Sequence, residues 1–209
     1  MLKIRLAIFA IVGMAALLPF ARADIIVYDL TSAGCSGCPS GTFGTITVSS
    51  GATSNILTVV ESLAPNVFAN TGAGAALGYT PSEIAAVSLL SSGFATGGSE
   101  TLSTFGTFSN TINCTGCGSG TSPPNYSYLS FTLTGAGGSS LALIANSLGY
   151  FFASDIGVKN ADGTVVWTGN VGVLGGGGGG GGGQTPEPAT YLLLGTGLVG
   201  LSILKRKMA

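Results

Sequence analysis

Tyr128-Leu129-Ser130-Phe131-Thr132-Leu133-Thr134 is the stretch on which the fold turns. Leu129, Phe131 and Leu133 fall on one side of an extended chain, and Ser130, Thr132 and Thr134 fall on the other. A period of two is the pattern of a strand with one face buried and one face wet. The alternation recurs upstream, where Ile46 and Val48 oppose Thr45 and Thr47. Ile25 to Leu30 reads as an earlier strand. Downstream, Tyr150 to Val158 and Thr164 to Val171 read as a strand pair, with Asn160-Ala161-Asp162-Gly163 as the turn between them.

One stretch breaks the pattern. Thr80-Pro81-Ser82-Glu83 has the form of a capping box with proline at the first helical position, ahead of Ile84, Val87, Leu89 and Leu90. It predicts a helix from Pro81 to about Ser91. Asn55 to Leu63, stopped by Ala64-Pro65, fits a second helix or a strand, and its β-branched content leaves both open. The expected architecture is mainly β. It is a single antiparallel β-sandwich or jelly-roll-like domain with a small helical insertion near residues 52 to 92.

Both chain ends differ from this domain. Lys3 and Arg5 precede an apolar stretch from Leu6 to Leu18, and Ala21-Arg22-Ala23 fits the small-x-small rule for signal peptidase, so residues 1–23 read as a signal peptide cut before Asp24. At the other end, residues 24–174 give way to nine consecutive glycines, Gly175 to Gly183. Such a run neither packs nor holds a helix, and residues 175–185 read as a flexible tether with an average reach of roughly 15 to 18 Å. Pro186-Glu187-Pro188 follows, then an uncharged span from Ala189 to Leu204, then Lys205-Arg206-Lys207. As a helix the span would reach roughly 24 Å, slightly short of a hydrocarbon core, with Lys205 and Lys207 able to snorkel. The basic trio places the chain end in the cytoplasm and everything before Pro186 across the membrane. The two prolines keep Glu187 extended and out of the helix, where an enzyme can reach it. Composition alone would fit a tail anchor that is never cut equally well.

The order of these parts in residues 186–209 resembles the PEP-CTERM sorting domain: Pro186, Glu187 and Pro188, an apolar span with glycines, and the cluster Lys205, Arg206 and Lys207. Thr185 stands where that family commonly has valine. The resemblance implies processing by exosortase, a membrane-embedded cysteine transpeptidase of Gram-negative bacteria. It further implies export across the inner membrane, transient anchoring through residues 189–204, and a final place at the cell surface or in an exopolysaccharide or biofilm matrix. Signal peptidase, exosortase and the membrane are then the expected partners, with extracellular polysaccharide as a further one.

Removing both ends changes the charge of the chain. The sequence has seven Lys and Arg and eight Asp and Glu, but six of the seven cations (Lys3, Arg5, Arg22, Lys205, Arg206 and Lys207) lie in the end segments. Residues 24–185 keep Lys159 and seven acids, and 1 − 7 gives a net charge of −6. A single cation cannot neutralise a row of phosphates, which excludes nucleic acid as a partner class.

Cys35-Ser-Gly-Cys38-Pro-Ser-Gly-Thr42 and Cys114-Thr-Gly-Cys117-Gly-Ser-Gly-Thr121 echo each other. In a cytosolic chain, two such pairs would suggest a four-thiolate zinc site. Export favours two disulfides among Cys35, Cys38, Cys114 and Cys117 instead, with all three pairings open. Catalytic patterns are scarce. There is no histidine, so the usual general base and any triad are excluded, and no two acids form a glycosidase pair. No cofactor, metal site or catalytic residue is expected. Asp155, beside Tyr150, Phe151 and Phe152, is expected to be an ordinary outward strand residue, the alternative being a group that orients a sugar hydroxyl. The function expected is therefore non-enzymatic, that of an exported matrix component. The alternative is a carbohydrate-binding module using exposed aromatics such as Tyr126, Tyr128 and Trp167, which needs two or three of them coplanar and solvent-exposed.

Overall fold

A computed structural model describes residues 25–33, 40–51, 53–70, 75–83, 85–117, 124–136 and 140–175. Its strands in chain order are β1 (Ile25–Asp29), β2 (Ser32–Ala33), β3 (Gly44–Ser50), β4 (Ile56–Leu63), β5 (Val67–Ala69), β6 (Ala75–Tyr79) and β7 (Ala85–Leu89). They continue with β8 (Phe94–Gly97), β9 (Glu100–Thr101), β10 (Thr107–Phe108), β11 (Asn110–Cys114), β12 (Tyr128–Gly135), β13 (Tyr150–Lys159) and β14 (Val165–Leu174).

Two antiparallel sheets carry the structure. The first has the order β1-β3-β4-β12-β7, and the second has the order β2-β14-β13-β6-β11-β8, with β5 also pairing to β13. In the first sheet Phe131 lies opposite Val59 on one side and Leu89 on the other, so the apolar halves of three strands fall in line. Ring pairs join the sheets. Tyr79 of β6 meets Phe131 of β12 at 5.1 Å, and Tyr28 of β1 meets Phe152 of β13 at 5.5 Å. Ile46, Val59, Leu129, Leu133, Leu77, Ile112 and Ile156 fill the space around them. On the far side of the second sheet, Leu102, Phe105 and Phe108 form a smaller core with Ala75 and Ala153, which covers part of that outer face.

The strand expectations hold at Tyr128 to Thr134, Thr45 to Val48, Ile25 to Leu30 and the pair around residues 150–171. The turn at Asn160 to Gly163 also holds, closed by Asn160 N donating to Thr164 O at 2.9 Å. Asn55 to Leu63, open between helix and strand, forms β4 from Ile56 onward.

The helical insertion does not form. Among the described residues the only helix is a 3-10 turn, Ser103–Phe105. Where a helix was expected from Pro81 to about Ser91, the chain is extended. Pro81 bridges Leu143, Ser82 N donates to Ala142 O at 2.8 Å, and Ala142 N donates back to Ser82 Oγ at 3.1 Å. The capping hydroxyl, Thr80 Oγ1, is spent elsewhere too, accepting from Ser109 N at 3.3 Å. The following residues then pair with β12, Val87 opposite Leu133 and Leu89 opposite Phe131. Ala85, Val87 and Leu89 also alternate with more exposed neighbours, so the segment satisfies a period of two as well. The unpaired backbone edge of β12 decides between the two readings, because tertiary hydrogen bonding outweighs a local capping preference.

Phe131 is fully buried at 0% exposure, and truncation of a core phenylalanine costs about 3–5 kcal/mol. Phe131→Ala is expected to lower the urea midpoint steeply with an unchanged slope. A midpoint within error of the parent would show that the ring does not join the two sheets.

Candidate functional site

A concavity lies where the chain crosses from the first sheet to the second. Pro65 and Asn66 make the crossing between β4 and β5. Val67 N donates to Ala64 O at 3.0 Å, and Asn66 takes a positive φ of 66°, the combination of a type II turn with proline second and asparagine third. Three neighbouring segments are locked onto it by their backbones. Leu63 N donates to Ser127 O at 2.8 Å, Ala69 N to Tyr126 O at 2.7 Å, and Lys159 N to Asn66 O at 2.8 Å. The result is a groove of about 420 Å³.

Its charged wall is built in layers. Phe68 is buried against β13 at Gly157, where a side-chain carbon would collide with the ring. Two residues on, the Lys159 ammonium sits 4.7 Å above the centre of the Phe68 ring, a cation–π contact that holds it at the groove. The opposite wall carries Asn125 and Ser127. Tyr126 between them wedges against Gly93 and Gly116, either of which would clash with it if given a side chain, and stacks edge-on to Phe94 at 5.2 Å.

Gly116 lies inside the second cysteine echo. Cys114 and Cys117 are joined by a disulfide with a Cα–Cα distance of 5.4 Å, so the bridge closes its own turn. Of the three pairings, only the one within each echo is compatible with it. Cys35 and Cys38 lie outside the described residues. Among the described residues, no three His, Cys, Asp or Glu side chains come together in a way that could hold a metal ion.

Two acids are strongly perturbed. Glu61 points into the core between the sheets and is 1% exposed; burial pushes it up to about 7. Ser154 Oγ, whose hydroxyl also donates to Ala76 O at 3.1 Å, lies beside it and offsets part of that rise. Glu61 Oε1 has no partner. Asp155, one residue after Ser154, lies on the opposite face of the second sheet. Expected as an ordinary outward residue, it is half-buried, and burial pushes it up to about 7. Asp162 moves the other way, lowered by hydrogen bonding from Thr164 in an exposed turn.

The aromatics expected to offer a binding platform do not assemble one. Tyr126 is wedged against the disulfide turn, Trp167 packs against Phe43 at 5.7 Å, and Tyr128 alone is an exposed aromatic among the described residues. Residues at the two ends fall elsewhere. Ala21, Ala23, Pro186, Glu187, Pro188, Lys205, Arg206, Lys207 and the span 189–204 lie outside the described residues, as does the glycine tether beyond Gly175.

Sequence reasoning singled out Lys159 as the last cation but missed the groove. Its residues are about ninety positions apart, and the one local signal was Pro65-Asn66, a turn dipeptide.

The class that fold and groove define is an antiparallel two-sheet domain with a groove at a sheet crossing. Comparison with known proteins bears on the tail, where residues 184–207 match the PEP-CTERM protein-sorting motif. The motif indicates sorting by exosortase to the cell surface, with export and transient membrane anchoring before release. No curated protein and no solved structure matches the chain.

Both perturbed acids have folded values near 7, above their ordinary 4.5 and 3.8. The folded state therefore holds more protons than the unfolded chain between about pH 4 and 7, and stability falls as pH rises through that window and levels off above it. Glu61 contributes on the order of 3 kcal/mol of this fall. The urea midpoint is expected to be higher at pH 5 than at pH 8, with Glu61→Gln flattening the difference; a parent midpoint that rises from pH 5 to 8 would contradict the burial argument. Non-reducing digestion and mass spectrometry should find Cys114 disulfide-linked to Cys117 within one peptide, and a Cys35–Cys114 or Cys38–Cys114 cross-link would contradict the structure.

Proposed function

We propose that this chain is a non-enzymatic surface protein that exosortase releases into the extracellular matrix around a Gram-negative cell. The observation that carries the reading is the sorting motif at residues 184–207, placed directly after a nine-glycine tether. The tether holds the folded sheets clear of the bilayer while Glu187 stays within reach of a membrane-embedded enzyme. Signal peptidase cuts after Ala23, which leaves Asp24 one residue ahead of β1 and spares the whole first sheet.

Chemistry within the domain supports a structural role. The sequence has no histidine, and the two acids that burial brings close to neutral pH lie apart, Glu61 between the sheets on β4 and Asp155 on the outer face of the second sheet on β13, so they do not act on one substrate. A net charge of −6 over residues 24–185 keeps the released domain soluble and unattracted to anionic lipid. Binding to sugar through an aromatic platform has less support, since Tyr128 stands alone as an exposed ring among the described residues.

Intact mass and N-terminal sequencing of protein recovered from the native culture test the route. A matrix form that begins at Asp24 and ends between Pro186 and Pro188 is expected. Recovery only of a membrane form that continues to Ala209 would make this a permanently anchored protein and end the exosortase reading.

A further inference from the structure

The groove at the sheet crossing has the features of a binding site that the sorting route does not use. Among the described residues Lys159 is the single Lys or Arg, and it meets no carboxylate there. Its ammonium is fixed over Phe68, so a ligand anion meets a cation whose position is already set and loses less freedom on binding. Around it, the side chains of Asn66, Asn125 and Ser127 make no hydrogen bond to described residues, which leaves two carboxamides and a hydroxyl with unspent donors and acceptors. Pro65 supplies apolar surface at the same place. The backbone offers little. The amides of Leu63, Ala64, Val67, Ala69 and Lys159 are committed to carbonyls within the domain, so the paired part of the crossing offers no open strand edge. Side chains carry most of the recognition. The ligand must then bring one negative group and several hydroxyls on a compact, partly apolar ring, and the groove's volume of about 420 Å³ falls within the roughly 300–1,000 Å³ of small-molecule sites.

We infer that the groove binds a carboxylated sugar unit, its carboxylate on Lys159 and its ring hydroxyls on Asn66, Asn125 and Ser127. The Cys114–Cys117 turn acts as the site's brace, since it fixes Tyr126 and with it the two polar residues on either side. The inference is independent of the tail and stands or falls apart from the sorting route.

The test uses the full chain in detergent, with glucuronate, glucose, acetate and triglycine as probes and saturation-transfer NMR titrations as readout. Glucuronate is expected to bind at least fivefold more tightly than glucose, acetate or triglycine, and to weaken as salt is raised. Lys159→Gln is expected to remove that preference and leave glucuronate no better than glucose. Asn125→Ala should weaken glucuronate severalfold while its melting temperature stays at the parent value. A glucuronate oligosaccharide that binds no better than the monomer places the recognition in one unit; one that binds much better extends the site along a polymer, with the same unit at Lys159. The inference is overturned if glucuronate does not bind, if glucose or triglycine matches it, or if Lys159→Gln binds glucuronate as the parent does.

Discussion

Contact between the inner faces of β4 and β12 and those of β6 and β13 supports everything else, because neither sheet has another way to remove its apolar side from water. Phe131 and Tyr79 occupy the centre of that contact, with Val59, Leu129, Leu77 and Ile156 around them. Glu61 sits in the same layer. A carboxyl there costs stability unless it is neutral, and burial favours the neutral form more strongly than contact with Ser154 opposes it. The core thus tolerates an acid by holding its proton, with the consequence that folding and pH are linked through its centre.

The groove is a by-product of how the chain passes from one sheet to the other. A type II turn at Pro65-Asn66 sends β4 out of the first sheet and β5 into the second, and the last residue of β13 is tied to that turn through its own amide. Phe68 can lie against β13 only because position 157 is glycine, and Lys159 in turn lies over the Phe68 ring. The far wall hangs on Tyr126, which is held by a turn that a disulfide closes. Removal of any layer reaches the ammonium through the next one.

Processing and folding concern separate parts of the chain. Six of seven cations belong to the two end segments, and the domain between is left acidic with one lysine. That lysine is the one cationic side chain the domain can offer a partner, and the fold places it in a concavity. A surface lysine free in solvent would attract an anion weakly and without orientation.

The sequence by itself determined the strands with a buried and a wet face, Leu129-Ser130-Phe131-Thr132-Leu133 above all, together with the turn at Asn160 to Gly163 and the sorting tail, because each is written in consecutive residues. Residues 81–91 show where that local reading stops. Thr80-Pro81-Ser82-Glu83 carries a sound helix-start signal, yet the Thr80 hydroxyl accepts from Ser109, Ser82 bonds Ala142 and Val87 pairs with Leu133, distant partners that no local pattern announces. Sequence likewise exposed the cysteine echo, but the choice of Cys114–Cys117 came from the folded turn. Only the tertiary structure decided the groove, since Asn66, Asn125 and Lys159 meet through backbone pairing between distant segments. Hydrogen bonding across a sheet is non-local by nature, and what it brings together is set by register and not by neighbourhood in the chain.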